Sequence, residues 1–133
     1  MRIFSTLILG AALIGSSAVA ATQDNSRYEA KLSAALTGRV AGKPVSCINL
    51  HNVRQSTIYN RTAIVYEIGN TLYVNRPTMG KESLDDDDIL LTKSYSSDLC
   101  SVDTVDLIDR GSHFRSGFVG LGEFVPYSRV RKD

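Results

Sequence analysis

The chain has 133 residues, 43% of them hydrophobic, and its formal net charge at neutral pH is +1. This length predicts a single domain rather than a multidomain protein. The near-neutral charge excludes an electrostatic drive toward nucleic acid or an anionic membrane, so neither is an expected partner.

The first twenty residues have the pattern of a secretory signal peptide. Arg2 supplies the positive start, residues 3–14 form a short apolar run, and the motif AVA at 18–20 supplies the small residues before a cleavage site. The apolar run is shorter than the roughly 20 residues that a membrane-spanning helix needs. We therefore predict cleavage after Ala20, or alternatively after Ala21, and a periplasmic or secreted product with no transmembrane anchor. Cleavage after Ala20 removes one basic and no acidic residue, so the mature net charge is zero.

A helix is predicted over residues 27–37, following a flexible start that begins at residue 21. Ser26 and Glu29 have the spacing of a capping box, in which each side chain binds the backbone N–H of the other residue. Gly38 is suited to terminating this helix. Apolar residues at helical spacing form one stripe that must pack on the rest of the domain: Tyr28, Leu32, Ala35 and Leu36.

From residue 45 onward, the hydrophobic pattern changes to the two-residue period of β-strands. Strands are predicted at residues 45–50, 56–59, 63–68, 71–75, 89–92, 105–108 and 124–127. Residues 111–122 are rich in glycine and serine and are predicted to form a loop with a few apolar anchors. Pro126 predicts an edge position for the last strand, because proline cannot donate a ladder hydrogen bond.

Gly69-Asn70 is a two-residue hairpin signal between the third and fourth predicted strands. A two-residue loop places Tyr66 opposite Tyr73 on one face and Val65 opposite Val74 on the other. Both faces then carry large apolar groups, and the helix is expected to cover one of them. The tyrosine pair is interpreted as the edge of the core, with a ligand- or partner-binding surface formed by Tyr66 and Tyr73 as the alternative.

Cys47 and Cys100 are the two cysteines of the chain, and export would place them in an oxidising compartment. The simplest prediction is one intrachain disulfide, with two free thiols or an intermolecular bridge as alternatives. Together with His51 and His113, the cysteines match no zinc-finger or zinc-ribbon spacing. No metal or other cofactor is therefore predicted.

Two further polar patterns are candidate sites. Four consecutive aspartates at 85–88 cannot all reach one calcium ion, and they are predicted to form a solvated loop that opposes edge-to-edge strand pairing. Ser112 and His113 lie near acidic residues, but the sequence lacks the Gly-x-Ser-x-Gly motif of a nucleophile turn. No catalytic residue is predicted.

The charges are segregated along the chain. Residues 82–109 are acidic with one lysine, whereas residues 110–132 are basic with one glutamate. The simpler interpretation is that these segments pair at the surface, and the alternative is a bipolar surface that orients a partner.

The order of short motifs resembles a family of small secreted bacterial proteins of unknown function. The resemblance covers about residues 38–129 and depends on the order of these motifs: GKPVSCI at 42–48, NRTAI at 60–64, LYVNR at 72–76, LCSVD at 99–103 and GEFVPY at 122–127. Similar proteins often carry a cysteine just after the Asn-Arg pair, where this chain has Pro77 and Thr78. This departure argues against a metal or a second disulfide in that loop. The resemblance implies export and a fold, and it implies no activity.

Together these patterns predict an α+β domain closed by one disulfide. A short N-terminal helix packs on a small antiparallel sheet of five to seven strands, or on a partial barrel, formed within residues 38–133. The predicted function is that of an exported, non-enzymatic envelope protein with a binding or structural role, whose partner is an unknown protein or small ligand. The alternatives are an envelope-acting hydrolase and a secreted inhibitor of another enzyme that is presented on the loop at 110–122.

Overall fold

A computed structural model describes residues 19–130 of the chain, with side chains described from residue 25 onward. Residues 1–18, which contain most of the predicted signal peptide, lie outside the described residues, as do residues 131–133. Within the described part, no helix is both long enough and apolar enough to cross a bilayer.

The described residues form one α-helix, ten β-strands and two 3₁₀ turns. In chain order these are α1 (Val19–Ala35), β1 (Arg39–Ala41), β2 (Cys47–Asn49), a 3₁₀ turn (Leu50–Asn52), β3 (Val53–Tyr59), β4 (Ala63–Ile68), β5 (Thr71–Asn75), a second 3₁₀ turn (Lys81–Ser83), β6 (Asp88–Thr92), β7 (Asp98–Cys100), β8 (Thr104–Asp109), β9 (Arg115–Gly120) and β10 (Phe124–Arg129). The prediction of a mostly antiparallel fold with one helix is confirmed.

The described strands form three antiparallel sheets rather than the single predicted sheet, and none of them closes into a barrel. The five-stranded sheet has the order β1-β10-β5-β4-β3, the two-stranded sheet pairs β2 with β7, and the three-stranded sheet has the order β6-β8-β9. Strands β6, β8 and β9 pair with one another and do not join the five-stranded sheet. The two sheets share one hydrophobic core.

The β4–β5 hairpin at the centre of the five-stranded sheet has the predicted register. Tyr66 lies opposite Tyr73, and Val65 lies opposite Val74. On the valine face, the buried side chain of Leu32 from α1 packs against the sheet. The helix therefore covers one face of the hairpin, as predicted, and the three-stranded sheet covers the other.

The main core lies between the five-stranded and three-stranded sheets. Its largest fully buried side chain is that of Phe124 in β10, whose ring makes an edge-on contact with Tyr66 at a centroid distance of 5.8 Å. Val105, Leu107 and Val119 fill the opposite side from the three-stranded sheet, and each is fully buried. Burial of these apolar side chains stabilises the domain.

The predicted start of the helix is wrong, because α1 begins at Val19 and Ser26 lies inside it. Alanines early in α1 favour helix and allow it to extend before the predicted cap. Glu29 does not complete a capping box. It accepts two hydrogen bonds from the Arg76 guanidinium, at 2.6 and 3.1 Å, and these bonds lower the pKa of Glu29. The helix ends at Ala35, two residues before the predicted end, and Gly38 has the positive φ of +78° that is expected of a residue that terminates a helix.

The predicted loop over residues 111–122 is wrong, because β9 occupies half of it. Its glycines allow close backbone packing. A Cβ at Gly117 would lie 3.2 Å from the Ser83 Cβ, and a Cβ at Gly120 would lie 3.2 Å from the Met79 Cβ. Glycine in this segment therefore marks close approach to a neighbouring chain segment rather than a lack of regular structure.

The predicted edge position of Pro126 is also wrong, because β10 lies between β1 and β5. The Pro126 carbonyl accepts a hydrogen bond of 2.7 Å from the Gly42 N–H, just after β1 has ended at Ala41. The next backbone bonds on that side join Val45 to Phe124. The missing proline N–H therefore falls in a gap of the ladder and disrupts no pairing.

The predicted disulfide between Cys47 and Cys100 is confirmed. The two cysteines lie directly opposite each other in the β2–β7 pair, with a Cα–Cα distance of 4.0 Å. Strand β2 precedes the central strands of the five-stranded sheet, whereas β7 lies in the chain between β6 and β8. The bond therefore joins the segments that build the two larger sheets.

A second link between the sheets is the side chain of Asn75, which is fully buried. Its amide nitrogen donates to the Gly122 carbonyl at 2.7 Å, and its amide oxygen accepts from the Gly122 N–H at 3.0 Å. The backbone N–H and carbonyl of Gly122, in the connection between β9 and β10, are thereby both hydrogen-bonded in the interior.

Candidate binding surface

The three-stranded sheet has one buried face and one open face. Along β8, Val105 and Leu107 point into the core, whereas Asp106 and Ile108 point outward. Strands β6 and β9 follow the same alternation because they are in register with β8. We call the outward side chains the outer sheet face, which consists of Ile89, Leu91, Asp106, Ile108, Arg115 and Phe118.

Large apolar side chains are concentrated on and around the outer sheet face. Among the exposed apolar side chains, Leu91 and Phe118 flank Asp106 in the register, and Ile89 lies opposite Ile108 on the same face. Phe118 is 42% exposed and Leu91 is 41% exposed, and Phe114 at one end of the sheet is 77% exposed. Because clustered rather than scattered exposed apolar groups mark interaction sites, this region is the candidate binding surface.

An ion cluster occupies the centre of the outer sheet face. The Asp106 carboxylate lies 2.9 Å from an Arg115 guanidinium nitrogen and 3.4 Å from the Lys93 ammonium. The Arg115 guanidinium also lies 5.2 Å from the centroid of the Phe118 ring, which is a cation–π contact. One carboxylate faces two cations, so the centre of the face carries a net positive charge.

The expected pairing of the acidic and basic segments is seen in this region. Arg115 and Arg110 of the basic segment lie beside Asp106 and Asp87 of the acidic segment, the latter pair at 3.9 Å. These partners are largely exposed apart from Asp106, so each pair contributes little to stability.

The turn between β8 and β9 is tied to Asp109. Its carboxylate accepts the Ser112 N–H at 2.7 Å and the Ser112 hydroxyl at 2.9 Å, and these bonds lower the pKa of Asp109. His113 has a φ of 62°, and its N–H donates to the Asp109 carbonyl at 2.8 Å. These hydrogen bonds to Asp109 fix the turn, and Phe114 at its end is exposed to solvent.

The tyrosine pair lies on the inner face of the five-stranded sheet. Tyr66 is 3% exposed, and its hydroxyl makes no hydrogen bond to any residue that the structure describes. Burial raises the pKa of Tyr66 well above its usual value. Tyr73 is half-buried and packs against the same core. The arrangement fits the core-edge interpretation, because a partner at the surface would not reach Tyr66.

The residues considered for hydrolase chemistry are not arranged as a triad. The Ser112 hydroxyl donates to Asp109, and the imidazoles of His51 and His113 are exposed without a hydrogen bond to a described residue. A triad requires the histidine to bind the nucleophile and an acid to bind the histidine. Within residues 19–130, no group of three or more histidine, cysteine or acidic side chains is placed to hold a metal ion.

The aspartate run divides between a loop and a strand. Asp85 accepts the Asp87 N–H at 2.9 Å, and Asp87 is exposed as predicted for a solvated loop. Asp88 differs, since it is buried as the first residue of β6 and accepts the Ser116 hydroxyl at 2.9 Å. The run therefore ends the loop and starts an edge strand.

Comparison of the chain with known protein families, with curated proteins and with solved structures finds no match. The resemblance to small secreted bacterial proteins therefore stays a prediction.

Proposed function

We propose that this protein is an exported binding protein of the cell envelope, closed by a disulfide, that contacts a protein partner through the outer sheet face. The observation that carries the proposal is the concentration of exposed apolar side chains around the Asp106 ion cluster.

The form and composition of the face favour a protein over a small ligand. Small molecules bind mainly in concave sites, whereas the outer sheet face is the open surface of three strands. Aromatic and arginine side chains dominate the energetics of protein interfaces. Phe118 and Arg115 are stacked on the edge strand β9, across β8 from Ile89 and Leu91 on β6. The stacked pair is therefore the expected energetic centre of the contact.

The charges of the face define the chemistry of the partner. Lys93 and Arg115 are more than half exposed, whereas Asp106 between them is largely buried. A complementary partner presents a carboxylate to these two cations, with apolar side chains around it. Charge at the centre then selects the orientation, while the apolar groups supply most of the affinity.

Export is proposed from the leader pattern and is supported by the disulfide, which forms and persists in oxidising compartments. The test is mass spectrometry of the protein purified from its natural cell. We expect an N-terminus at Ala21 or Thr22 and no thiol that reacts with iodoacetamide. A product that begins at Met1, or one with two alkylated cysteines, contradicts export.

The binding proposal is tested by site-specific photo-crosslinking in living cells. A benzophenone amino acid replaces Phe118, and in the matched control it replaces Val40, which is 57% exposed on β1. We expect one discrete adduct from position 118 and none from position 40. Equal adducts from both positions, or none from either, contradict the proposal.

The identified partner is then titrated with the purified protein. Phe118→Ser is expected to weaken the affinity about tenfold or more, the range of a hot-spot residue, without lowering the melting temperature appreciably. An unchanged dissociation constant would show that the adduct reports proximity only.

A secreted inhibitor is the second candidate, because the turn that is hydrogen-bonded to Asp109 carries the exposed Phe114. The predicted inhibitory loop is reduced to the turn at 110–114, since β9 follows it. Chymotrypsin, whose specificity pocket accepts aromatic side chains, is a suitable probe. For an inhibitor we expect Phe114→Ala to abolish inhibition and Phe118→Ala to leave it intact. Full protease activity with excess wild-type protein contradicts inhibition of this protease class.

A further inference from the structure

We propose that the edge strand β6 pairs with β6 of a second copy in an antiparallel arrangement, joining two three-stranded sheets into one of six strands. The inference concerns the edge of the sheet and does not depend on what binds its outer face.

Three of the four edge strands of the two larger sheets carry recognised protection against strand addition. Strand β1 has only three residues. Strand β3 has a register shift between Val53 and Gln55, and Arg54 lies exposed at that point. Strand β9 is bridged at its end by Met79, which pairs with Gly120. Each device makes pairing with another chain unfavourable.

Strand β6 has none of these features between its ends. It is five residues long, and its pairing with β8 shows no register shift. Ile89 is 38% exposed and Leu91 is 41% exposed, both on the outer sheet face. An unprotected edge with exposed apolar side chains is a template for an added strand.

The backbone alternation indicates which groups of β6 are free. Asp109 directs its N–H and its carbonyl toward the β9 side, to Phe114 and His113. Successive residues of a strand direct these groups to opposite sides, so Ile108 faces β6 and binds its partner Ile89. Leu90, the next residue of β6, then directs its N–H and carbonyl away from β8. The N–H of Asp88 also points away from β8 but is already bound to the Asp85 carbonyl, so the free groups of this edge begin at Leu90.

The sequence of β6 is complementary to itself in one register. With Leu90 opposite Leu90 of the second copy, Ile89 lies opposite Leu91, and the turn at Asp87 just before β6 comes near Lys93 just after it. The Ile89–Leu91 and Asp87–Lys93 contacts each occur twice about the two-fold axis, and the Leu90 pair lies on the axis. Apolar groups meet apolar groups, and opposite charges meet at both ends of the paired strands.

The aspartate run selects this register. A shift toward the N-terminus places aspartates opposite apolar residues or opposite aspartates of the second copy. A shift by one residue would move the side chains to the other face. In this arrangement, the acidic run specifies one pairing, instead of opposing all edge pairing as expected from the sequence.

The edge contact is small compared with a standard interface of about 1,600 Å². A reversible dimer is therefore expected, with the fraction of dimer rising with protein concentration. Pairing at the edge leaves the outer sheet face open and aligns two copies of it on one continuous sheet.

The register is tested by cross-linking two cysteine variants of the full chain. Ile89→Cys and Leu91→Cys are oxidised separately and as a mixture, after both have been shown to fold with the wild-type melting temperature. Residues of a non-hydrogen-bonded antiparallel pair have Cα atoms about 4.5 Å apart, within disulfide range. We expect a disulfide-linked dimer from the mixture and little from either variant alone. Equal cross-linking in all three samples, or no cross-link in the mixture, overturns the proposed register.

The ion pairs are tested by charge exchange and sedimentation equilibrium. Lys93→Glu and Asp87→Lys are each expected to weaken dimerisation about tenfold, because each change acts at two symmetric sites. The double variant is expected to regain wild-type association to within about twofold. The matched control Lys43→Glu changes an exposed lysine away from β6 and is expected to leave association unchanged. A wild-type protein that stays monomeric at all concentrations, or single variants that associate like the wild type, overturns the proposal.

Discussion

The β4–β5 and β8–β9 hairpins have the same antiparallel pairing but very different surroundings. The first is covered on both faces, with Val65 under α1 and Tyr66 in the main core. The second is covered on one face only, so Val119 is fully buried while the adjacent Phe118 is 42% exposed. Burial on both sides stabilises the first hairpin. The second contributes one face to stability and leaves the other available for contact.

The largest expected difference concerns one phenylalanine from each environment. Phe124→Ala is expected to lower the free energy of unfolding by about 4–5 kcal/mol, because it leaves a cavity in the main core. Phe118→Ala is expected to lower it by about 1 kcal/mol or less, because its ring is partly solvated. Urea denaturation followed by far-UV circular dichroism measures both.

Equal losses for the two phenylalanine variants would contradict the difference in burial between the two hairpins. That result would mean that the outer sheet face is buried in the folded protein, for example by chain outside the described residues. A small loss for Phe124→Ala would mean that the main core repacks around the cavity.

The next expected effect concerns the covalent link between the two sheet-forming segments. Cys47→Ala combined with Cys100→Ala is expected to cost about 4 kcal/mol, from the entropy of the 53-residue loop that the bond closes. The measurement is the free energy of unfolding in urea. The control is wild-type protein reduced with dithiothreitol, which should match the double variant. A stability equal to that of oxidised wild type would show that the shared core alone holds the two regions together.

The two hairpins also show what local sequence can predict. The β4–β5 hairpin was predicted residue by residue, because Gly69-Asn70 sets the turn and the alternation sets the register. Strand β9 was missed because Gly117 and Gly120 lower its local strand propensity. Their role depends on Ser83 and Met79, which are distant in sequence and become neighbours only in the fold.

The candidate surface was missed for a related reason. The sequence shows that Ile89, Leu91 and Phe118 are apolar, but exposure depends on which layer lies over each sheet. The tyrosine pair is not a surface in the folded domain, because the three-stranded sheet covers it. Polar and apolar residues alternate along β8, and this alternation of outward-facing Asp106 with buried Val105 and Leu107 could have indicated a strand with one open face.

The smallest expected effect on the free energy of unfolding concerns Tyr66 in the covered β4–β5 hairpin. Tyr66→Phe removes a buried hydroxyl that has no hydrogen-bond partner among the described residues. We expect the free energy of unfolding at neutral pH to stay unchanged or to rise by up to about 1 kcal/mol. Tyr73→Phe is the matched control, because its half-buried ring lies opposite in the register, and it should change stability by less than about 0.5 kcal/mol.

The pH dependence of Tyr66→Phe gives the more specific test. Burial raises the pKa of the folded Tyr66 phenol, whereas the unfolded phenol ionises near a pKa of about 10. Above that pH the unfolded chain releases a proton that the folded chain retains, so stability falls as pH rises. Tyr66→Phe should therefore lose less stability than wild type between about pH 8 and about pH 11. Parallel losses in the two proteins would mean that the phenol ionises in the folded state and has access to solvent.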